Sequence, residues 1–247
     1  MTPEGAAVRA DRAPVNDERD PADLRIGGVT PFSTTDWPGR LAAVLFLQGC
    51  PWRCGYCHNP DLIPPRSDRE IPWDEVMAFL LRRRGLLDGV VFSGGEPTLQ
   101  RGLPEAMREV RALGFGVGLH SGGAYPDKLA AVLPLVDWVG LDVKAPFADY
   151  PRITGIPGSG DPARESLECV LAAGVAHEIR TTVHPTLLAD AEVENLAREL
   201  SARGVKHYVL QPFRSQGCRD EGLCHSAARQ RPLAELRTKV AALFGEG

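Results

Sequence analysis

The sequence predicts an α/β domain with a parallel sheet, on three observations. Short apolar runs of strand type recur, amphipathic segments of helical spacing separate them, and polar or unusual residues gather where the runs stop. The runs span 41–48, 89–94, 115–120, 138–144, 178–184 and 207–213. Between or after them, 73–84, 103–113, 125–133, 163–173, 191–203 and 228–244 carry apolar residues at helical spacing. Strand followed by helix, repeated, implies right-handed crossovers and parallel pairing. Continuous apolar strands imply that both sheet faces are covered. Six such units make an incomplete barrel, but a doubly wound open sheet shares the alternation, and periodicity does not choose between them. In either, ligand chemistry sits at the carboxyl ends of the strands.

The 247 residues suit one domain, expected over 24–247. Residues 1–23 are rich in Pro, Asp, Arg and Ala without apolar periodicity and are expected to form a flexible tail. Hydrophobic residues at 43% and charged residues at 24% allow a sizeable core, and a formal charge of −4 supplies no basic surface for nucleic acid. No apolar run reaches the roughly 18 residues of a membrane span, and the N-terminus lacks a signal-peptide core. A cytoplasmic protein without membrane or nucleic-acid partners is expected. Three of the six cysteines fall between 50 and 57, and such crowding in a reducing compartment points to metal rather than disulfides.

The strand-end rule collects the candidate chemistry at one mouth. Cys50 follows the first run, Gly94-Gly95-Glu96-Pro97 the second and His120-Ser121-Gly122 the third. Asp142 and Lys144 close the fourth, His184 and Pro185 the fifth, and Gln211 lies in the sixth. In GCPWRCGYCHNP the spacing Cys-x3-Cys-x2-Cys puts three thiolates on one tight loop, the usual ligand type of iron–sulfur clusters. With four irons and three cysteines, one iron stays open to substrate. The competing reading is a closed structural zinc, for which a second cysteine pair is lacking nearby and His58, adjacent to Cys57, is poorly placed. Gly94 and Gly95 lack Cβ atoms and let the backbone approach a ligand, or simply make a tight turn. Asp142 and Lys144, two apart, share a strand face and are also a plausible salt bridge. His120 and His184 are either ligand contacts or satisfied polar residues. Cys169 fits an apolar helical pattern and reads as core; Cys218 and Cys224, near His225, read as loop thiols or a disulfide rather than a metal site.

GCPWRCGYCHNP resembles the cluster loop of radical S-adenosylmethionine (radical SAM) enzymes, including the aromatic residue before the third cysteine, here Tyr56. FSGGEPTLQ resembles the Gly-Gly-Glu-Pro motif of the same superfamily. The resemblance implies a partial (β/α)6 TIM-like barrel. It also implies a 4Fe–4S cluster on Cys50, Cys54 and Cys57, and S-adenosylmethionine bound at the open iron. Tyr56, His58, Gly94, Gly95, Glu96, Pro97 and His120 would line that cofactor, the Gly-Gly-Glu-Pro stretch at the methionine amino group. Reductive cleavage of the sulfonium would then yield a 5′-deoxyadenosyl radical that abstracts hydrogen.

Residues 36–50, DWPGRLAAVLFLQGC, resemble the Asp-x-Pro-Gly lead-in of glycyl radical enzyme activases, with Trp37 where those proteins commonly have Gly. LDVKA carries their Asp-x-Lys as Asp142 and Lys144, implied to line the cofactor and the radical site. EIRTTVHP resembles their arginine-bearing strand, which implies cofactor contacts from Arg180 and, further on, Asn195. Residues 27–62, 133–146 and 180–188 resemble most the activating proteins of anaerobic ribonucleoside-triphosphate reductases. The resemblance implies a glycyl radical protein of that kind as partner and a flavodoxin- or ferredoxin-type electron donor. Activation of a formate-lyase, a small-molecule radical SAM reaction of the carboxydeazaguanine synthase kind, and a zinc scaffold without activity stand as alternatives.

Overall fold

The computed structural model of the chain describes residues 21–227 and 232–244. Seven strands form one sheet in sequential order: β1 Ile26–Ser33, β2 Ala42–Leu47, β3 Gly89–Gly94, β4 Gly116–Ser121, β5 Trp138–Asp142, β6 Ala176–Val183 and β7 Tyr208–Pro212. β1 runs antiparallel to β2, and every later pair is parallel. The connections carry α1 Trp73–Leu81, α2 Leu103–Ala112, α3 Pro126–Val132, α4 Tyr150–Thr154, α5 Gly160–Ala173 and α6 Asp190–Ala202; α7 Glu221–Ala227 and α8 Ala234–Ala241 follow β7.

Strand order resolves what periodicity left open. A doubly wound sheet reverses its order at a switch point, whereas here β2 to β7 advance without reversal. Right-handed crossovers that always step the same way put all the helices on one face, so the other face curls into an interior. β1 and β7 are the two edges and do not pair, which makes the barrel partial.

Alternate residues of the strands pack outward into the large core beneath the helices, with Leu45, Phe92, Leu119, Leu141 and Ile179 buried in it. The inward residues form a small second cluster of Trp37, Ala42, Val44, Val91 and Trp138, with Phe46 against it. Trp37, from the β1–β2 loop, stacks on Trp138 at 5.9 Å between ring centroids. It lies where the inner face of the sheet is stripped to glycine: a Cβ on Gly89 would stand 2.7 Å from the indole, and one on Gly118 3.0 Å. Trp37 therefore plugs the amino end of the barrel.

The six expected strands are present, each end within two residues of the expected one. β1 was not expected, because IGGVTPFS has two glycines, a proline and no alternation; as an edge strand it tolerates Pro31, whose missing N–H breaks no inner ladder. α1 stops at Leu81 rather than 84, and Gly85 turns the chain at φ 75°. Residues 1–20 of the expected tail lie outside the described residues, while Pro21–Asp23 form a 3-10 turn. Of the helix expected over 228–244, positions 228–231 lie outside the described residues and α8 begins after Pro232 and Leu233.

Candidate functional site: a thiol-lined cavity at the strand carboxyl ends

The cysteine loop leaves β2 through Gln48, whose buried side chain ties both ends of the loop together. Its Nε2 donates to the carbonyls of Asp61 (2.7 Å) and Pro64 (2.9 Å), while the Gln48 main-chain carbonyl accepts from Gln100 Nε2 (2.9 Å). The Cys50 N–H donates to Ile63 O, the Arg53 N–H to Thr154 O, and the Cys57 N–H to Cys54 O. Held this way, Cys50, Cys54 and Cys57 all line one cavity of about 590 Å³. Burial raises all three thiols above their usual range, Cys50 to about 12, so they are neutral until a cation replaces their protons. Among the described residues no three His, Cys, Asp or Glu side chains converge on a single-ion site.

Gly94 and Gly95 border the same cavity. What forbids a side chain there is the backbone: a Cβ on Gly94, at φ 124°, would sit 2.2 Å from Leu47 N, and one on Gly95 2.2 Å from Gly49 O. The glycines nest the end of β3 against the start of the cysteine loop, and two hydrogen bonds fasten the seam, Gly95 N–H to Leu47 O and Glu96 N–H to Gly49 O. Glu96 is 2% exposed and saturated with donors. Its Oε1 accepts from Thr98 N (3.1 Å), Thr98 Oγ1 (2.6 Å) and Ser121 Oγ (2.9 Å), and its Oε2 from Gly122 N (2.9 Å). It locks β3 to β4 and fixes one negative charge at the mouth. Pro97 is buried at the first position of the 3-10 turn Pro97–Leu99 and does not line the cavity.

Opposite the thiols, Asp142 at the end of β5 accepts from Lys144 Nζ (3.3 Å) and from Arg180 Nε (3.1 Å) on β6. The parallel register pairs Asp142 with Arg180 directly. The guanidinium folds over Gly140, where a Cβ would stand 2.8 Å from it. Burial alone raises the Asp142 pKa, but Lys144 and Arg180 outweigh it and hold the carboxyl at about 2. Burial likewise disfavours charge on Lys144, yet Tyr56 and Asp142 keep it protonated. Its Nζ stands 5.9 and 6.0 Å from the ring centroids of Trp52 and Tyr56. His120 Nε2 donates to Asp36 O (2.8 Å), and Ser93 Oγ donates to its Nδ1 (3.3 Å). Burial and the Arg180 guanidinium, 3.2 Å away, push its pKa down to about 4, so the ring is neutral.

A radical SAM superfamily model matches residues 44–210 of this chain, the stretch that carries the thiols, the glycine seam and the Asp142–Arg180 network.

The chain belongs to the radical SAM superfamily.

Its relatives narrow the membership. It is 33% identical over 204 residues to the pyruvate formate-lyase-activating enzyme of Clostridium pasteurianum, covering 78% of this chain and 83% of that one. It is 29% identical over 206 residues to a Methanocaldococcus jannaschii protein named for glycyl-radical enzyme activation, covering 79% and 82%. These relatives place the radical SAM chain among the glycyl-radical enzyme activating enzymes. In fold it is similar to Streptococcus suis SuiB bound to S-adenosylmethionine, with a TM-score of 0.58 at 14% identity, covering 77% of this chain and 43% of that one.

Radical SAM enzymes use a 4Fe–4S cluster and S-adenosylmethionine, and the residues present suit both groups. Three neutral thiols on one loop line the cavity and would supply three of the four cluster ligands. Of the five buried side-chain polar atoms without a hydrogen-bond partner among the described residues, Tyr56 Oη and His58 Nε2 belong to residues that line the cavity, on either side of Cys57. A buried polar group without a partner costs about 1–3 kcal/mol, so these atoms await one from outside the chain.

Asn195 and His184 both lie away from the cavity. Asn195 lies on the exposed face of α6, bonded to Arg198 (2.7 Å), because Val193, Leu196, Ala197 and Leu200 take the buried face and leave position 195 outside. His184 is fully buried and satisfied, its Nε2 donating to Leu223 O (3.0 Å) and its Nδ1 accepting from Thr186. The sequence reading also missed lining residues: Thr35 and Asp36 from the β1–β2 loop, Ser93 and Thr182 on the inner strand faces, and Arg214 and Arg237 beyond β7. The Asp-x-Pro-Gly lead-in was a signal for Asp36; the arginines carried none.

Proposed function

We propose that this radical SAM enzyme installs a glycyl radical on an anaerobic ribonucleoside-triphosphate reductase. The carrying observation is the pairing of a three-thiol set lining one cavity with a barrel left unclosed between β1 and β7, the side from which a loop of another protein would approach. The long resemblance over 27–62, 133–146 and 180–188 supports the reductase as target. The formate-lyase reading has support of its own in the Clostridium pasteurianum relative, and the target experiment below is chosen to separate the two.

When bound, the cluster and S-adenosylmethionine would supply reductive cleavage to a 5′-deoxyadenosyl radical. The chain would supply the rest. Cys50, Cys54 and Cys57 would hold the cluster. Lys144 and Arg180, both cationic, would orient a carboxylate, and Asp142 between them keeps the two side chains apart and aimed. Glu96 would act through the seam, holding Gly94 and Gly95 in register with the cysteine loop. Tyr56 and His58 would satisfy their orphan atoms on the nucleoside part. Trp37 would keep water from entering through the barrel floor, where a reactive radical is most vulnerable to quenching.

The remaining readings follow the same line. Residues 24–247 act as the catalytic core with 1–23 as an appendage, a flavodoxin- or ferredoxin-type protein is the electron source, and crowded free cysteines suit a reducing cytoplasm. Among the described residues no helix is long and apolar enough to cross a membrane. The test is anaerobic: the iron-loaded protein, reduced and given S-adenosylmethionine, is mixed separately with a reductase and with a formate-lyase. A glycyl radical signal in electron paramagnetic resonance on the reductase alone supports the proposal, a signal on the lyase alone replaces it with the second reading, and no signal on either sinks both.

A further inference from the structure

After β7 the chain does not leave the site but crosses back over the cysteine loop as a strap, residues 213–224. Phe213 is buried against the rings of His58 (5.5 Å) and His184 (4.7 Å). Gly217 lies so close that a Cβ would fall 2.1 Å from His58 O. Arg219 pairs with Asp61. Leu223 reaches Gly55, and its carbonyl accepts from His184 Nε2. The only side-chain hydrogen bond from the strap to the stretch between the second and third cluster cysteines is made by a thiol: Cys218 Sγ donates to Gly55 O at 3.6 Å, among the described residues.

That thiol has a second one beside it. Cys224, at the first turn of α7, directs Sγ toward Cys218 O at 3.7 Å and Ser215 O at 3.8 Å, and its thiol has the Cys218 side chain as a hydrogen-bond neighbour. Both residues are part-exposed and neither lines the cavity that Cys50, Cys54 and Cys57 share. They sit six positions apart in one local stretch, Cys218 Sγ toward Asp220 O (4.0 Å) and Cys224 Sγ toward Cys218 O (3.7 Å). A disulfide brings its sulfurs to about 2.05 Å and removes both S–H hydrogens, so the Cys218 donation to Gly55 O cannot survive it.

We propose that Cys218 and Cys224 form a redox-active dithiol that latches the strap to the cysteine loop when reduced and releases it when oxidised. The oxidants it takes are low-molecular-weight disulfides. One thiolate attacks glutathione disulfide and expels one glutathione; the other then displaces the second, leaving the Cys218–Cys224 disulfide and two glutathione thiols. Two electrons and two protons pass to the oxidant, and the cluster takes no part. The consequence is local loosening over residues 51–60, so an oxidising shift would weaken the cover of the cluster loop before the cluster itself is attacked.

The test uses the anaerobically purified, iron-loaded full chain, with and without glutathione disulfide. Thiols are then blocked and disulfides mapped by mass spectrometry, with hydrogen–deuterium exchange read on peptides covering 51–60. Expected are a Cys218–Cys224 bond reversed by dithiothreitol and a several-fold faster exchange of 51–60 in the oxidised form. In Cys224→Ser the exchange should no longer respond to oxidant. A bond from Cys218 to Cys57, no bond at all, or equal exchange in both forms overturns the latch. Iron content, measured in parallel, reports on the cluster separately, and both latch readouts can be taken on protein that loads no iron.

Discussion

At the amino end of the rolled sheet the interior is filled by Trp37 stacked on Trp138 over Gly89 and Gly118, while at the carboxyl end the same interior opens into a cavity of about 590 Å³. Glycine serves both ends with opposite outcomes. Below, missing side chains admit an apolar plug; above, Gly140 admits the Arg180 guanidinium, which then organises Asp142, Lys144 and His120. The floor has its partners within the chain, whereas the mouth keeps neutral thiols and the unpartnered atoms of Tyr56 and His58. Stability is concentrated below and reactivity above, as expected where a scaffold holds groups whose partners arrive later.

Substitutions at the two ends should therefore separate activity from folding. Cys54→Ala should lower iron loading and abolish 5′-deoxyadenosine formation, with a melting temperature of the metal-free protein close to wild type; iron and sulfide analysis with calorimetry checks it. Trp37→Ala should do the reverse, costing about 3–5 kcal/mol in urea unfolding for a buried aromatic lost from a packed site, while retaining its cysteine ligands. A large loss of iron binding without a loss of stability would break the comparison.

Within the mouth, Asp142→Asn should leave Lys144 and Arg180 with no counter-charge and lower 5′-deoxyadenosine formation by about 10–100-fold, roughly 1.4–2.7 kcal/mol, measured at saturating S-adenosylmethionine. The pH response sharpens the picture further. His120 titrates near 4 when folded but near 6.5 when unfolded, so below pH 6.5 the unfolded chain takes up a proton that the folded one refuses. Stability should fall as pH drops from about 6.5 toward 4, by about 1–3 kcal/mol, and His120→Asn should flatten that slope in urea melts at pH 7 and pH 5. Asp142, depressed to about 2 from 3.8, adds a further loss only between about pH 4 and pH 2. The smallest effect belongs to Asn195→Ala, on the solvent face of α6, which should change S-adenosylmethionine binding by less than twofold and stability by less than about 0.5 kcal/mol.

Much of this was legible from residue order. Six apolar runs marked six parallel strands, and the cysteine spacing, the Gly-Gly-Glu-Pro stretch and the Asp-x-Lys pair marked the mouth, because each is a local pattern set by strand ends and turns. Residue order could not place Asn195 or decide between the two readings of His184: helix phase turned the first outward and a neighbouring carbonyl satisfied the second. β1 was invisible because an edge strand needs neither alternation nor a full set of N–H donors.

The sequence by itself determined the strand–helix alternation, the crowding of three thiols on one loop and the charges Asp142, Lys144 and Arg180 carried by the apolar runs of β5 and β6, since all are encoded within a few neighbouring residues. Only the tertiary structure decided that the sheet rolls rather than reverses, that Gly94 and Gly95 are small for the sake of the β2 backbone, and that Arg214, Arg237 and the Cys218–Cys224 strap return to the mouth. Those are contacts between residues tens to more than a hundred positions apart, and no local periodicity records which distant partner a side chain will meet.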